Sequence, residues 1–484
     1  MKITLLSLLI FNVLFLSGQD LTKSDTTGAA QAFTQELNYQ DSVLTEKEFM
    51  NWVGQYHPIS QQADLMEEQG NMLVRSGRGG FDPTLFYDFV DKDFKEKNYY
   101  DLAQVGLKIP TWYGVEFKTG WDYAYGNYTN PMDNTPDKGL GYVGVGVNLG
   151  KGLLMDKRRA QLLKAKQYQQ MNINERNSLL NDLYRDAIYQ YWEWSAAYKK
   201  KELLTSTLEN ATDRFQGLLT LAKYGELSAL DTLEAFTQIQ AVQTEVFEAE
   251  AKFLQETFEL NNFLWGENLE PLNIDGLYPE ELMVKINSDD FYVQIDTAKS
   301  LIDSHPVLMS YSNKLQTLVV EKRLKAEYLK PKIKLQYNLL TDNFQLNPGE
   351  YTTNNYKWGI NVSMPIFLRK ERGDLSLMKI KIEQQQYENR LKQQEILAKI
   401  KTYEAKTEAL FKQGKSYQRA VEGYEALLRQ EELKLQQGSS SLFKLTVREI
   451  KMFRANLKLV DLHLKLVQSA TAYTHSGGQL YSFF

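Results

Sequence analysis

Four histidines and no cysteine leave little material for metal or nucleophilic chemistry in this chain of 484 residues. His57 and His305 each stand directly before a proline, Pro58 and Pro306. That shared setting points to a helix start rather than to a catalytic base. His463 and His475 are isolated, and no HExxH, DxDxDG or GxSxG spacing occurs. A phosphate loop is the remaining candidate, at Gly144-Val145-Gly146-Val147-Asn148-Leu149-Gly150-Lys151-Gly152. It fails the P-loop, because Val145 stands where glycine is needed and Gly152 where Ser or Thr would reach magnesium. It fails the dinucleotide fingerprint at Leu149. The run reads better as a strand end turning sharply into a helix. No catalytic residue, metal ligand or cofactor is expected, and the chain does not read as an enzyme.

The charge balance excludes other classes. There are 56 Lys+Arg against 61 Asp+Glu, a formal net charge of −5, without the basic footprint of most nucleic-acid binders. Hydrophobic content of 43% and charged content of 24% argue against wholesale disorder. Lack of cysteine removes disulfide scaffolds, thiolate sites and a lipid-anchored leader together. At the start, Lys2 precedes an almost wholly apolar run from Ile3 to Leu16, and Ser17-Gly18 gives a small-residue exit. This reads as a signal peptide over 1–18, because the run falls short of the ~20 residues of a spanning helix. No later apolar run is long enough to span. The exported chain therefore stays soluble or enters a membrane as β-strands.

Eleven prolines divide the chain, and two windows, 137–270 and 366–484, contain none. Proline breaks helix interiors, so these windows can hold very long helices. From Ile396 a 4,3 alternation runs through Ile400, Tyr403, Thr407, Leu410, Gly414, Tyr417, Val421, Tyr424, Leu428, Glu431 and Leu435. That is a coiled-coil seam interrupted at Thr407, Gly414 and Glu431. Leu180, Leu183, Ala187, Tyr191, Trp194 and Tyr198 repeat the spacing. A helix over 153–224 would be roughly 100 Å long, too long for a compact domain. Between the windows the period changes to two, over 84–89, 104–109, 114–118, 142–147, 332–337 and 358–364. Aromatic residues gather near the ends of these strands, among them Trp112, Tyr113, Trp121, Tyr123, Tyr351, Tyr356 and Trp358. Such clusters fit the girdles of a membrane barrel, or the packing of a soluble β-domain.

The pattern occurs twice. His57-Pro58 and Pro83 recur as His305-Pro306 and Pro331, an offset of 248, whereas Gly144 and Gly359 in the last strands are offset by 215. The first half is thus longer in its strand region. Each half ends in a helical reversal, at Gly225-Glu226-Leu227-Ser228-Ala229-Leu230 and at Gly438-Ser439-Ser440-Ser441-Leu442. Gly225 and Gly438 suit the left-handed conformation at a helix C-terminus, and Ser228 and Ser441 can cap the returning helix.

These residues, in this order and repeated, resemble the bacterial outer-membrane efflux proteins of the TolC type over the whole mature chain. The carriers are Phe81-Asp82-Pro83, the stretch from Gly106 to Val115, Asn148-Leu149-Gly150-Lys151-Gly152 leading into Asp156-Lys157-Arg158-Arg159-Ala160, and Val362-Ser363-Met364-Pro365-Ile366-Phe367. The resemblance implies a mainly α fold with membrane β. It is a tandem-repeat coiled-coil barrel continuous with a β-barrel in the outer membrane, its helical tunnel lying in the periplasm. About four strands per chain cannot close a barrel alone, so a homotrimer of about twelve strands is expected. The divisions are a first repeat over 19–270 (strands 84–150, helices 153–224 and 228–265) and a collar over 271–294. A second repeat follows over 295–484 (helix 306–329, strands 332–365, helices 372–437 and 441–472). The resemblance further implies that the tips dock a periplasmic adaptor of an inner-membrane pump, through Gly225, Glu226, Leu227, Ser228, Leu230, Gly438, Ser439, Ser440, Ser441 and Leu442. The family's entrance aspartates have no counterpart in the second tip, where Lys444 stands, while the first tip keeps Asp231; these two are the gate candidates. Outer-membrane lipid is the other expected partner, and nucleic acid is not one. The rival reading is a periplasmic coiled-coil adaptor or structural protein without a barrel.

Overall fold

The computed structural model describes residues 43–225, 228–274, 276–282, 302–342 and 354–484. The leader expected over 1–18 and much of the collar lie outside them. The chain divides into two compact units. One holds the described residues up to Pro58 together with Glu193–Glu281, and the other holds Ile59–Trp192 and Leu282–Phe484.

In the first unit, β1 (Val43–Leu44) pairs in parallel with β6 (Tyr278–Pro279) and leads into helix α1 (Glu46–Tyr56). Thr45 and Glu48 form a capping box: the Thr45 hydroxyl accepts from the Glu48 amide at 3.3 Å, and the Glu48 carboxylate accepts from the Thr45 amide at 3.0 Å. The apolar stripe Phe49, Met50 and Val53 is wholly buried, with Phe49 edge-on to Phe263. Helix α4 (Ala229–Asn261) packs on the C-terminal part of helix α3 (Lys157–Lys223), a helix that contributes to both units. There Trp194 is fully buried and donates its indole N–H to Thr257 at 3.0 Å, and Phe215 meets Phe236. The segment after α4 closes over this core, with Ser195 donating to the Glu280 carbonyl at 2.8 Å.

The second unit contains the strands. Helix α2 (Pro58–Gly79) packs on the start of α3, where Val74, Leu162 and Ala165 form one core cluster. Six strands then make one antiparallel sheet in the order β2 (Thr84–Phe94), β3 (Lys97–Pro110), β4 (Val115–Tyr125), β5 (Leu140–Asn148), β7 (Lys332–Thr341), β8 (Tyr356–Ser363). The join between β5 and β7 unites the two sequence repeats in one ladder. Six strands replace the expected count of about four. The first repeat contributes two hairpins and the second only one, because its extra length is spent on strand.

Helices α5 (Pro306–Glu327), α6 (Arg369–Gln436) and α7 (Leu442–Ser476) complete this unit. Each interruption of the α6 seam has a partner on α7 or at its tip. Thr407 hydrogen-bonds the Ser469 hydroxyl at 2.9 Å in a buried site. Gly414 lies beneath His463, whose imidazole takes the space a larger seam residue would fill. The buried Glu431 accepts from Ser440 and faces Arg448 at 3.6 Å. A polar seam residue is tolerated where its hydrogen-bonding capacity is met, and each of these polar residues is matched.

Candidate functional site

Residues paired across neighbouring strands project to the same side, so the register sorts the sheet into two faces. One row reads Phe117, Val145, Tyr337 and Trp358, with Ile109 beside it; the next reads Leu85, Leu107, Thr119, Val143, Leu339 and Tyr356. Tyr87, Val105 and Trp121 extend that face, as do Ile333 with Val362 and Leu335 with Ile360. It is apolar or aromatic almost throughout and exposed or half-buried, Leu85 at 75% and Trp358 at 60%. The opposite face carries Asp88 with Gln104, Lys108 with Lys118, Glu116, Asp122, Lys334 with Asn361, Gln336 and Asn338 with Lys357. Gln104 donates to Asp122 at 2.7 Å, and Lys118 pairs with Glu116 at 3.2 Å. The β4–β5 loop folds over this polar face. Met132 and Asn134 line a cavity of about 490 Å³ with Asp88, Gln104, Lys108 and Lys357. A soluble sandwich buries its apolar face; this sheet exposes it and keeps its polar face inside the curl, the reverse arrangement suited to lipid outside and water within.

Of the aromatic candidates, Trp121, Tyr123, Tyr356 and Trp358 lie on the apolar face. Trp112 and Tyr113 sit in the β3–β4 turn, at the end of the sheet from which the helices leave, with Trp112 against Phe81. Tyr356 opens β8 at the opposite, loop-bearing end. Tyr351 lies outside the described residues.

The tips follow from backbone chemistry. Gly225 has φ +79° and donates to the Ala222 carbonyl at 3.0 Å. Gly438 has φ +70°, donating to Leu435 at 2.9 Å, while Ser439 donates to Lys434 at 2.8 Å, the paired bonds of a Schellman stop. Ser228 and Asp231 form a capping box, the Asp231 carboxylate accepting from the Ser228 hydroxyl at 2.7 Å and amide at 3.1 Å. Ser441 caps α7 through a long 3.5 Å contact from the Lys444 amide. Leu230 and Lys444 are exposed and Leu442 is half-buried. Glu226 and Leu227 lie outside the described residues. Sequence reasoning passed over the exposed apolar neighbours Tyr224, Leu233 and Phe443, which a search for unburied apolar residues beside the reversals would have found. The Ser440 hydroxyl first, and then Lys434 and Arg448, hold the Glu431 carboxyl below the usual carboxylate range.

The histidines serve structure. His305 is the N-cap of α5, its Nδ1 accepting from the Val307 amide at 3.2 Å, and His57 ends α1 against Phe263 and Trp265. Burial lowers both to about 4. His475, isolated in sequence, meets Asp182 at 2.6 Å. The glycine-rich run ends β5 and turns into α3: Leu149 and Lys151 donate to the carbonyls of Ile333 and Pro331, both at 2.8 Å, and Asp156 caps the Arg159 amide at 2.8 Å. Among the described residues no His/Asp/Glu group has metal-site geometry, and no helix is long and apolar enough to cross a membrane.

Residues 322–478 match the outer membrane efflux protein family. No curated protein matches the chain by sequence. Among solved structures it is similar to the outer-membrane channel OprN (13% identity, 96% of this chain and 98% of that one, TM-score 0.61). It is similar also to the CmeC outer membrane channel of Campylobacter jejuni (11%, 96% and 90%, 0.59). A third is the open state of the MtrE outer membrane channel of Neisseria gonorrhoeae (13%, 89% and 88%, 0.61). At identities of 11–13% these likenesses are likenesses of fold. The chain thus matches the outer membrane efflux protein family over residues 322–478 and has, along nearly its whole length, the fold of solved outer-membrane channels.

Proposed function

We propose that the chain is one subunit of a trimeric exit duct. It passively conducts substrates delivered by an inner-membrane pump across the periplasm and the outer membrane. The observation that carries this reading is the two-faced sheet, apolar outside and charged within, whose outer strands β2 and β8 have no strand partner among the described residues. An open strand edge is not tolerated in lipid, so copies must complete the wall. Trp112, Tyr113, Trp121, Tyr123, Tyr356 and Trp358 belong to its membrane-interface girdles, the expected place also of Tyr351, which lies outside the described residues. The tips around Gly225 and Gly438 dock the adaptor, with Leu230, Leu442, Tyr224 and Phe443 as the apolar contacts. Asp231 caps α4 at the first tip, and Lys444 is the entrance charge of the second. The duct performs no chemistry of its own; the pump supplies the energy. A periplasmic adaptor without a barrel would have no use for an exposed apolar sheet face. The test is extraction of carbonate-washed outer membranes in mild detergent followed by mass measurement. A trimer is expected, and a monodisperse monomer with intact β-signal overturns the proposal.

A further inference from the structure

The two repeats differ by one hairpin. The offset between them falls by 33 residues across the strand region, from 248 at the His-Pro pairs to 215 at Gly144 and Gly359. The stretch from Thr84 through Gly114, which holds β2, β3 and their turns, is close to that length. This extra length is not a loop excursion. It is hydrogen-bonded into the same ladder, β3 against β4 from Asp101↔Tyr125 to Pro110↔Glu116. It also obeys the same two-faced pattern: Leu85, Tyr87, Leu107 and Val105 continue the apolar face, and Asp88, Gln104 and Lys108 the polar one. At 11 and 14 residues, β2 and β3 are long enough to cross a bilayer.

We infer that β2 is the true edge of the membrane wall and that it pairs with β8 of a second copy of this chain, so that the assembled barrel has eighteen strands rather than twelve. The direction of the strands permits it. With six strands alternating in sense, β2 and β8 are antiparallel to each other, so a β8–β2 junction continues the antiparallel order around the ring. Both edge strands are exposed along almost their whole length. With strands ~4.8 Å apart and tilted ~40°, eighteen give a backbone diameter of about 36 Å, against about 24 Å for twelve. The outer opening is therefore wide, and the β4–β5 loop, folded over the polar face, is placed to narrow it.

The inference rests on the trimeric reading, and cysteine cross-linking separates the two because the native chain has no cysteine. One cysteine is placed on the polar face of β8, at Lys357, Gly359 or Asn361. A second goes on β2, at Asp88 or Val90, or on β4, at Lys118 or Asp122. The variants are oxidised in outer membranes and run on denaturing gels. Covalent dimers and trimers are expected for β8–β2 pairs in at least one register and for no β8–β4 pair. Products from β8–β4 would mean that the β2–β3 hairpin leaves the wall, and they overturn the inference, as does the absence of any β8–β2 product. The mass of the same variants in mild detergent reports the trimer independently: a trimer without the β8–β2 link sinks only the eighteen-strand wall, and a monomer sinks both.

Discussion

Two buried histidines and one exposed lysine carry the residue-scale consequences. His57 and His305 are held neutral by burial, their pKa lowered to about 4. An unfolded chain takes up protons on these rings as pH falls through about 6.5, where the folded one does not. The unfolded state then binds more protons, so their contribution is complete above pH 6.5 and is lost as pH drops toward 4. Each should cost on the order of 3 kcal/mol by pH 4. Melting of the detergent-solubilised protein should fall between pH 7 and 5, and His305→Gln should flatten that slope; an unchanged slope in the variant would exclude His305 as its source. At the second tip, Glu431 is paired with Ser440 and Arg448, and Lys444 stands exposed in the first turn of α7. Three copies around a narrow aperture would focus its field. Lys444→Asp should shift the reversal potential in planar bilayers under a KCl gradient toward cation selectivity. Equal potentials would place Lys444 away from the pore.

At the scale of elements, the hairpins depend on two left-handed glycines at the ends of very long helices. A β-branched residue there is strained by about 1–2 kcal/mol or more. Gly438→Val should therefore disturb the α6–α7 reversal while leaving the sheet intact, because α6 puts its 68 residues, roughly 100 Å, between them. Efflux should be lost with the oligomer still present in the outer membrane, and unchanged tolerance to exported compounds would count against the tip as a docking site. The α6 seam shows how far the pattern is readable. Its 4,3 spacing announces the helix, and its three breaks look like faults until Ser469, His463 and the Ser440–Arg448 pair are seen opposite them.

For the whole molecule, the proposed duct turns on which face of the sheet meets lipid. Val145 lies mid-strand on the apolar face, and Gln336 faces the other way in the adjacent strand. Val145→Lys should weaken membrane insertion by about 2–4 kcal/mol, the cost of a lysine at the bilayer midplane. Gln336→Lys should leave insertion unchanged. The amount of each variant retained in carbonate-washed outer membranes measures the difference, and equal retention would mean that the faces are assigned the wrong way round.

Much of this was legible in the residues. Proline-free windows and a 4,3 seam determine where the long helices run, alternation determines the strands, and the doubled His-Pro and glycine reversals reveal the repeat. These are local signals, set by backbone sterics and by periods of 3.6 and 2 that need no knowledge of distant partners. Tertiary structure alone decided what depends on long-range pairing. It placed six strands in one sheet, brought Asp182 to His475, and joined β5 to β7 across the two repeats. The same alternation in sequence is compatible with either face inward, and a hairpin's worth of extra residues with either a loop or more sheet. Hydrogen-bonded register between strands far apart in the chain chooses, because a one-residue shift would turn every side chain to the opposite face.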